Sequence, residues 1–225
     1  MKNVSLVRRM MWKDFELHRT QLVVMTIWGA AALATLLIRR EAMMVVGSVV
    51  FFIALILTGC LLPASNLLNE RKKQTLPFMM SLPISFTDYT TAKLLGTVVM
   101  FLISWVTLAI AAIWMILVKG VLPHGAIPVA LILLLLPFVG LSVITGMTLV
   151  GDSEGWSIAA NVVCNSSYGL VWYFIMTTPS LMAGSKNPAP IWNHAVVTFL
   201  LSEVTVIVVM LALTYYLQSR KRDFV

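Results

Sequence analysis

Gly151-Asp152-Ser153-Glu154-Gly155 is the first place to look for chemistry, because GDSEG satisfies G-x-S-x-G, the pattern that sets a nucleophilic serine on a sharp turn. A nucleophile elbow needs a strand before the serine, a helix after it and a histidine base within hydrogen-bond reach. Here a long apolar run precedes Ser153, and of His18, His124 and His194 only His18 falls on the same side of the membrane in the topology derived below. Asp152 and Glu154 read instead as a polar turn, with Asp152 or Ser153 capping the helix that follows. The chain carries no H-E-x-x-H, no paired-cysteine metal spacing and no G-x-x-x-x-G-K-[ST] phosphate loop. No catalytic residue, metal or directly bound cofactor is expected of it.

Polar residues inside apolar runs are more informative. Ser157, Asn161, Asn165 and Tyr168, followed by Trp172, recur at three or four residues and share one helical face. Lipid cannot satisfy such groups, so the stripe must face protein or water. Hydrogen bonding between helices and the lining of a pathway are both open to it. Glu203 sits about 14 Å into the last apolar run at the usual helical rise, with no Lys or Arg in any apolar run to pair with it. A lone carboxyl there is either a hydrogen-bond anchor to the stripe or a proton-sensitive functional site.

These groups need elements to hold them, and composition says which. Of 225 residues, 60% are hydrophobic and 11% charged, and the mean hydropathy of +0.93 lies outside the range of a soluble globular domain. Crossing the hydrocarbon takes roughly 20 mostly apolar residues. Six runs meet that length, at residues 21–38, 42–64, 94–118, 127–150, 156–176 and 194–217, so residues 1–225 form a single membrane domain. Cys60 and Cys164 fall inside these runs as small apolar residues. AAALA (30–34) resembles a cleavage site, but the charged stretch before it is long for a signal peptide, and an uncleaved first span is expected.

With the N-terminus inside, Lys2, Arg8, Arg9, Lys13, Arg19, Arg71, Lys72, Lys73, Lys93, Arg220, Lys221 and Arg222 are cytoplasmic, and Arg39, Arg40, Lys119 and Lys186 are outside. That asymmetry places both termini inside. The net charge of +7 then reflects membrane topology rather than nucleic-acid binding. Within residues 1–20, Val4, Val7, Met11 and Phe15 share a face at helical spacing, which predicts a helix lying in the inner interface, against the alternative of a disordered basic leader. Pro137 and Gly140 should bend the fourth span. TTPSLMAGSKNPAPIWN (177–193) is too broken to span, and reads as an outer re-entrant or interface-lying hairpin or as an ordinary external loop.

The segment NERKKQTLPFMMSLPIS (69–85) lies between the second and third spans, in a cytoplasmic loop covering residues 65–93. Thr75 can cap a short helix in which Leu76, Met79 and Met80 share a face, and Pro83 stops it. Ser85 and Asp88 then form an S-x-x-D box starting a helix that runs through Lys93 into the third span. Such a stiff, angled pair of turns suits docking of a cytoplasmic partner; lying on anionic headgroups through Arg71, Lys72 and Lys73 is the other reading.

NERKKQTLPFMMSLPISFTDYTTAKLLG (69–96) resembles the first cytoplasmic loop of permeases of type-2 ATP-binding-cassette exporters, at Glu70, Arg71, Thr75, Leu76, Ser81, Leu82, Pro83, Lys93, Leu94 and Leu95. Gln74, where a glycine is common, and Pro77 inside the short helix depart from that pattern. The resemblance implies an all-α polytopic fold of six transmembrane helices with an N-terminal interfacial helix and a cytoplasmic coupling helix. It implies coupling contacts at Glu70, Arg71, Thr75, Leu76, Met79, Met80, Ser81, Leu82, Pro83 and Asp88. It also implies a second permease copy or sister subunit, separate ATPase subunits holding ATP and Mg, and a bacterial cytoplasmic membrane. The activity implied is export of an amphipathic peptide, drug or lipid-like molecule. The alternative is a non-transporting scaffold or sensor that uses the same loop to bind a partner.

Overall fold

The computed structural model describes residues 4–38, 40–68, 86–151 and 153–220, and every regular element among them is helical. The helices are α1 (Val4–Thr35), α2 (Glu41–Pro63), α3 (Phe86–Leu117), α4 (Ile127–Val150), α5 (Glu154–Thr177), the short α6 (Pro179–Met182) and α7 (His194–Arg220). All but α6 are long and apolar enough to cross a membrane. Large apolar side chains such as Val45, Ile110, Leu170 and Leu201 are at least 60% exposed, as expected of surfaces that meet lipid. The segment 69–85, with Glu70, Arg71, Thr75, Leu76, Met79, Met80, Ser81, Leu82 and Pro83, lies outside the described residues, as does Asp152.

The amphipathic segment and the first span are one helix. Nothing between Val4 and Trp28 is Pro or Gly, so no breaker separates them. At about 1.5 Å per residue, α1 and α3, with 32 residues each, exceed the roughly 30 Å hydrocarbon layer, so their first turns project beyond it. Exposed Arg8, Arg9, Trp12 and Arg19 line that projecting part. The face it packs against protein is not its most apolar one. Met10, Asp14 and His18 are buried, whereas Val7, Met11 and Phe15 are half-buried. The reason is what they face: α1 lies along α3, which presents Lys93 at that level.

α1 and α3 run parallel. Asp14 meets Lys93 and Thr26 meets Ser104, partners 79 and 78 residues apart, and Gly29 lies against Leu108 in the same register. α4 and α7 are parallel too, with Gly146 against Thr214 and Gln218 donating to the Leu149 carbonyl. Leu67, Leu94 and Leu149, with Leu211 and Tyr215 against them, tie four spans together at the end of the bundle that holds Val4 and Arg220, hereafter the terminal end. At the far end, the Gly125 N–H donates to the Asn187 carbonyl at 3.0 Å. A Cβ on Gly125 would land on the Gly184 carbonyl, so only glycine permits this approach. Asn193 accepts from the Val196 N–H at 2.9 Å to cap α7, and donates to the Ser180 carbonyl. Residues 177–193 thus form a short helix and turn, with Leu181 buried and Trp192 exposed.

α4 is the most buried span. Pro137 removes the donor that would serve the Leu133 carbonyl, and the Trp105 indole N–H donates to the neighbouring Leu134 carbonyl at 2.7 Å. Gly59 of α2 packs against the Pro137 carbonyl, and the Tyr168 hydroxyl of α5 occupies the space a Cβ on Gly140 would need. Gly140→Ala should therefore push Tyr168 aside and destabilise the chain by about 1–3 kcal/mol. Gly169→Ala, where nothing lies within 4 Å, should leave stability unchanged or slightly raised. Thermal unfolding of the two variants in detergent checks the contrast.

Candidate functional site

Among the described residues, two groups of polar side chains stand out. The first is at the terminal end. α2 closes in a π-helical turn, Ala64–Leu68, directly after Pro63. The wider turn carries Asn66 into the packing between α1 and α3, where it is 2% exposed. The Lys93 ammonium donates to Asp14 Oδ2 at 2.8 Å and to Asn66 Oδ1 at 3.0 Å, and the Asn66 amide donates to Thr97 Oγ1 at 2.9 Å. Lys93 and Asp14 are almost wholly buried, and His18 and Asp88 are buried close by in sequence. In sequence, Asn66 and Lys93 lie on either side of the segment 69–85.

The second group is the stripe on α5. Ser157 and Tyr168 are buried, Asn161 and Trp172 half-buried, and Asn165 exposed. The Asn161 and Asn165 amides donate to the Ser157 and Asn161 carbonyls within α5, at 3.0 and 2.8 Å. Asn165 also donates to Cys60 Sγ of α2 at 3.5 Å. Beside it lies a cleft of about 320 Å³ between α2 and α5, lined by Val49, Phe52, Ile53 and Ile56 on one wall and Asn165, Tyr168, Gly169 and Trp172 on the other. Phe52 stands edge-on to Tyr168, with ring centroids 6.4 Å apart, and 5.6 Å from Trp172.

Glu203 belongs to neither group. It lies on the face of α7 that also buries Val196, Ile207, Thr214 and Gln218, the face set against α4. Neither of its carboxyl oxygens has a hydrogen-bond partner among the described residues. The hydroxyls of Ser157, Tyr168 and Thr145 are likewise buried without a hydrogen-bond partner. Ser153 is exposed at the N-cap of α5 and makes no capping bond with its side chain, while His18 is buried on α1. Asp88 is buried in the first turn of α3.

The Asp14–Lys93–Asn66 network was not legible as a unit. Lys93 counts in the sequence as one more cytoplasmic cation, and its partners are 79 and 27 residues away. The only local sign was the position of Asp14, four residues before His18 on a face with Met10.

No family model, no curated protein and no solved structure matches the chain. The geometry itself supports an all-α polytopic membrane protein of six long apolar helices, of the general build of a transporter.

Two stability outcomes follow. Lys93→Met leaves Asp14 buried without its cation and should destabilise the chain by about 3–5 kcal/mol. Glu203→Leu replaces an unpartnered buried carboxyl by an apolar group of similar size and should stabilise it by roughly 1–3 kcal/mol. Unfolding of the purified variants in detergent measures both, and a Glu203→Leu chain that is more stable but inactive marks the carboxyl as functional.

Proposed function

We propose that the chain is the transmembrane subunit of an ATP-driven exporter in a bacterial cytoplasmic membrane, with both termini cytoplasmic. It works as a pair with a second copy or a sister chain, and separate ATPase subunits dock on the segment 69–85. The cargo is amphipathic and moves out of the cytoplasm or the inner leaflet.

The observation that carries this reading is the condition of α5. It is the least apolar of the six spans, yet only 22% of its membrane window is buried, and Asn165 is exposed beside an open cleft. Polar groups at that depth call for a second subunit or an aqueous path. Two further features agree with it. The resemblance of residues 69–96 to a permease coupling loop supplies a docking site for an engine. The network of Lys93, Asp14 and Asn66 ties the ends of that loop to three spans, which is what a loop that passes force into the membrane requires.

Gentle purification from the native membrane should bring down an ATPase with a phosphate loop, and a Leu76→Ala, Met79→Ala, Met80→Ala triple variant should lose it while remaining folded. Asn161→Leu with Asn165→Leu should lower export about tenfold or more without loss of stability. Recovery of the chain repeatedly without an ATPase would favour a scaffold that uses the loop to hold another partner.

A further inference from the structure

Behind the α2–α5 cleft lies a second space. A cavity of about 120 Å³ sits among α1, α2, α3 and α4, lined by Leu33, Leu36, Phe51, Leu55, Met115 and Leu134 among other apolar groups. Ser48 is the polar side chain of the lining, and its hydroxyl already donates to the Met44 carbonyl at 2.8 Å. No side chain of the lining among the described residues is charged. An apolar cavity of about 150 Å³ is large enough to hold a benzene molecule. Phe52 and Trp172 line both this cavity and the cleft, so the pair forms the partition between them, with ring centroids 5.6 Å apart.

The chemistry changes on crossing that partition. On the cleft side Asn165 is exposed, and its Oδ1 has only the weak Cys60 thiol donor at 3.9 Å, while its amide N–H groups are engaged with Asn161 and Cys60. A carbonyl oxygen with spare acceptor capacity at the mouth of an apolar pocket selects a hydrogen-bond donor attached to something greasy. Among the described residues no acidic or basic side chain lines either space, which suits a neutral donor, an amide N–H or a hydroxyl.

We infer that the cleft and the cavity form one ligand site for a small neutral amphipath, its aromatic ring or short alkyl end seated in the α1–α4 cavity beyond Phe52 and Trp172 and its hydrogen-bond donor on Asn165. That this ligand is the cargo rests on the exporter reading; the site itself does not. Trp172 and Phe52 are then specificity-determining residues, because their rings line both spaces and flank a ligand that bridges them, and the cavity volume limits its apolar end to about one ring.

The test uses the purified chain in lipid nanodiscs, with no ATPase present, and a trifluoromethyl-diazirinyl benzyl alcohol as photoreactive probe, competed by plain benzyl alcohol. Saturable labelling is expected on peptides carrying Leu55, Met115 or Leu134. Ala112→Phe, which fills the cavity from α3, should reduce it about tenfold, and Ala130→Leu does the same from α4 should the first variant not fold. Asn165→Leu should weaken competition by the alcohol but not by toluene. Labelling that does not saturate, that spreads over lipid-facing residues such as Leu170 and Val208, or that survives both filling variants overturns the site. Because the ATPase is absent, failure of the exporter reading leaves this result standing, and failure here leaves the docking loop untouched.

Discussion

A lysine ammonium taken out of water needs anionic and polar partners close at hand, and in this bundle that requirement brings three helices to one point. Lys93 on α3 reaches Asp14 on α1 and Asn66 in the π turn that ends α2. Breaking such a pair is far more destabilising than the pair is stabilising, because the remaining charge stays buried. The pair therefore acts chiefly on specificity. It fixes which residues of two long parallel helices lie side by side, and Thr26 with Ser104 and Gly29 with Leu108 continue the register it sets. Sliding by one helical turn would separate all three contacts together.

The other half of the bundle is organised by the absence of side chains. α4 meets its neighbours where it, or they, carry glycine: Gly59 at Pro137, Gly140 at Tyr168 and Gly146 at Thr214. Small residues let backbones approach closely where lipid offers no hydrophobic drive for helix association. Pro137 adds a local loosening of the ladder, which Trp105 meets from α3. Phe101 and Leu141 lie in one cluster with Leu22 and Leu62, so α1, α2 and α3 all pack against the middle of α4.

Much of this was legible in the sequence. Hydropathy located six spans, because the demand for an unbroken apolar run is strict and local. At the terminal end α3 extends ahead of its apolar run at residue 94, from Phe86 through Lys93, as the Ser85–Asp88 box implied. The stripe from Ser157 to Trp172 also followed from spacing alone. The packed face of α1 did not. Periodicity selects Val7, Met11 and Phe15 because it counts greasy residues, whereas burial of Asp14 depends on a lysine elsewhere in the chain. The π turn was equally hidden, for it follows from Pro63 and from the space available to Asn66, and neither leaves a periodic trace. The cavity beyond Phe52 is a product of four helices meeting and belongs to no segment of the sequence.

The parallel pairs α1 with α3 and α4 with α7 divide the spans into two sets of three, and in each set the first helix packs along both of the others, which touch each other far less. Three is an odd number, so the second set enters the bilayer from the side opposite to the first. The two sets are thus alike in plan and inverted in direction, joined along α2 and α4. Such a pair has the mechanical property of any two rigid bodies that meet along one seam. Rocking one set against the other about their seam widens the bundle at one membrane face by the same motion that narrows it at the other.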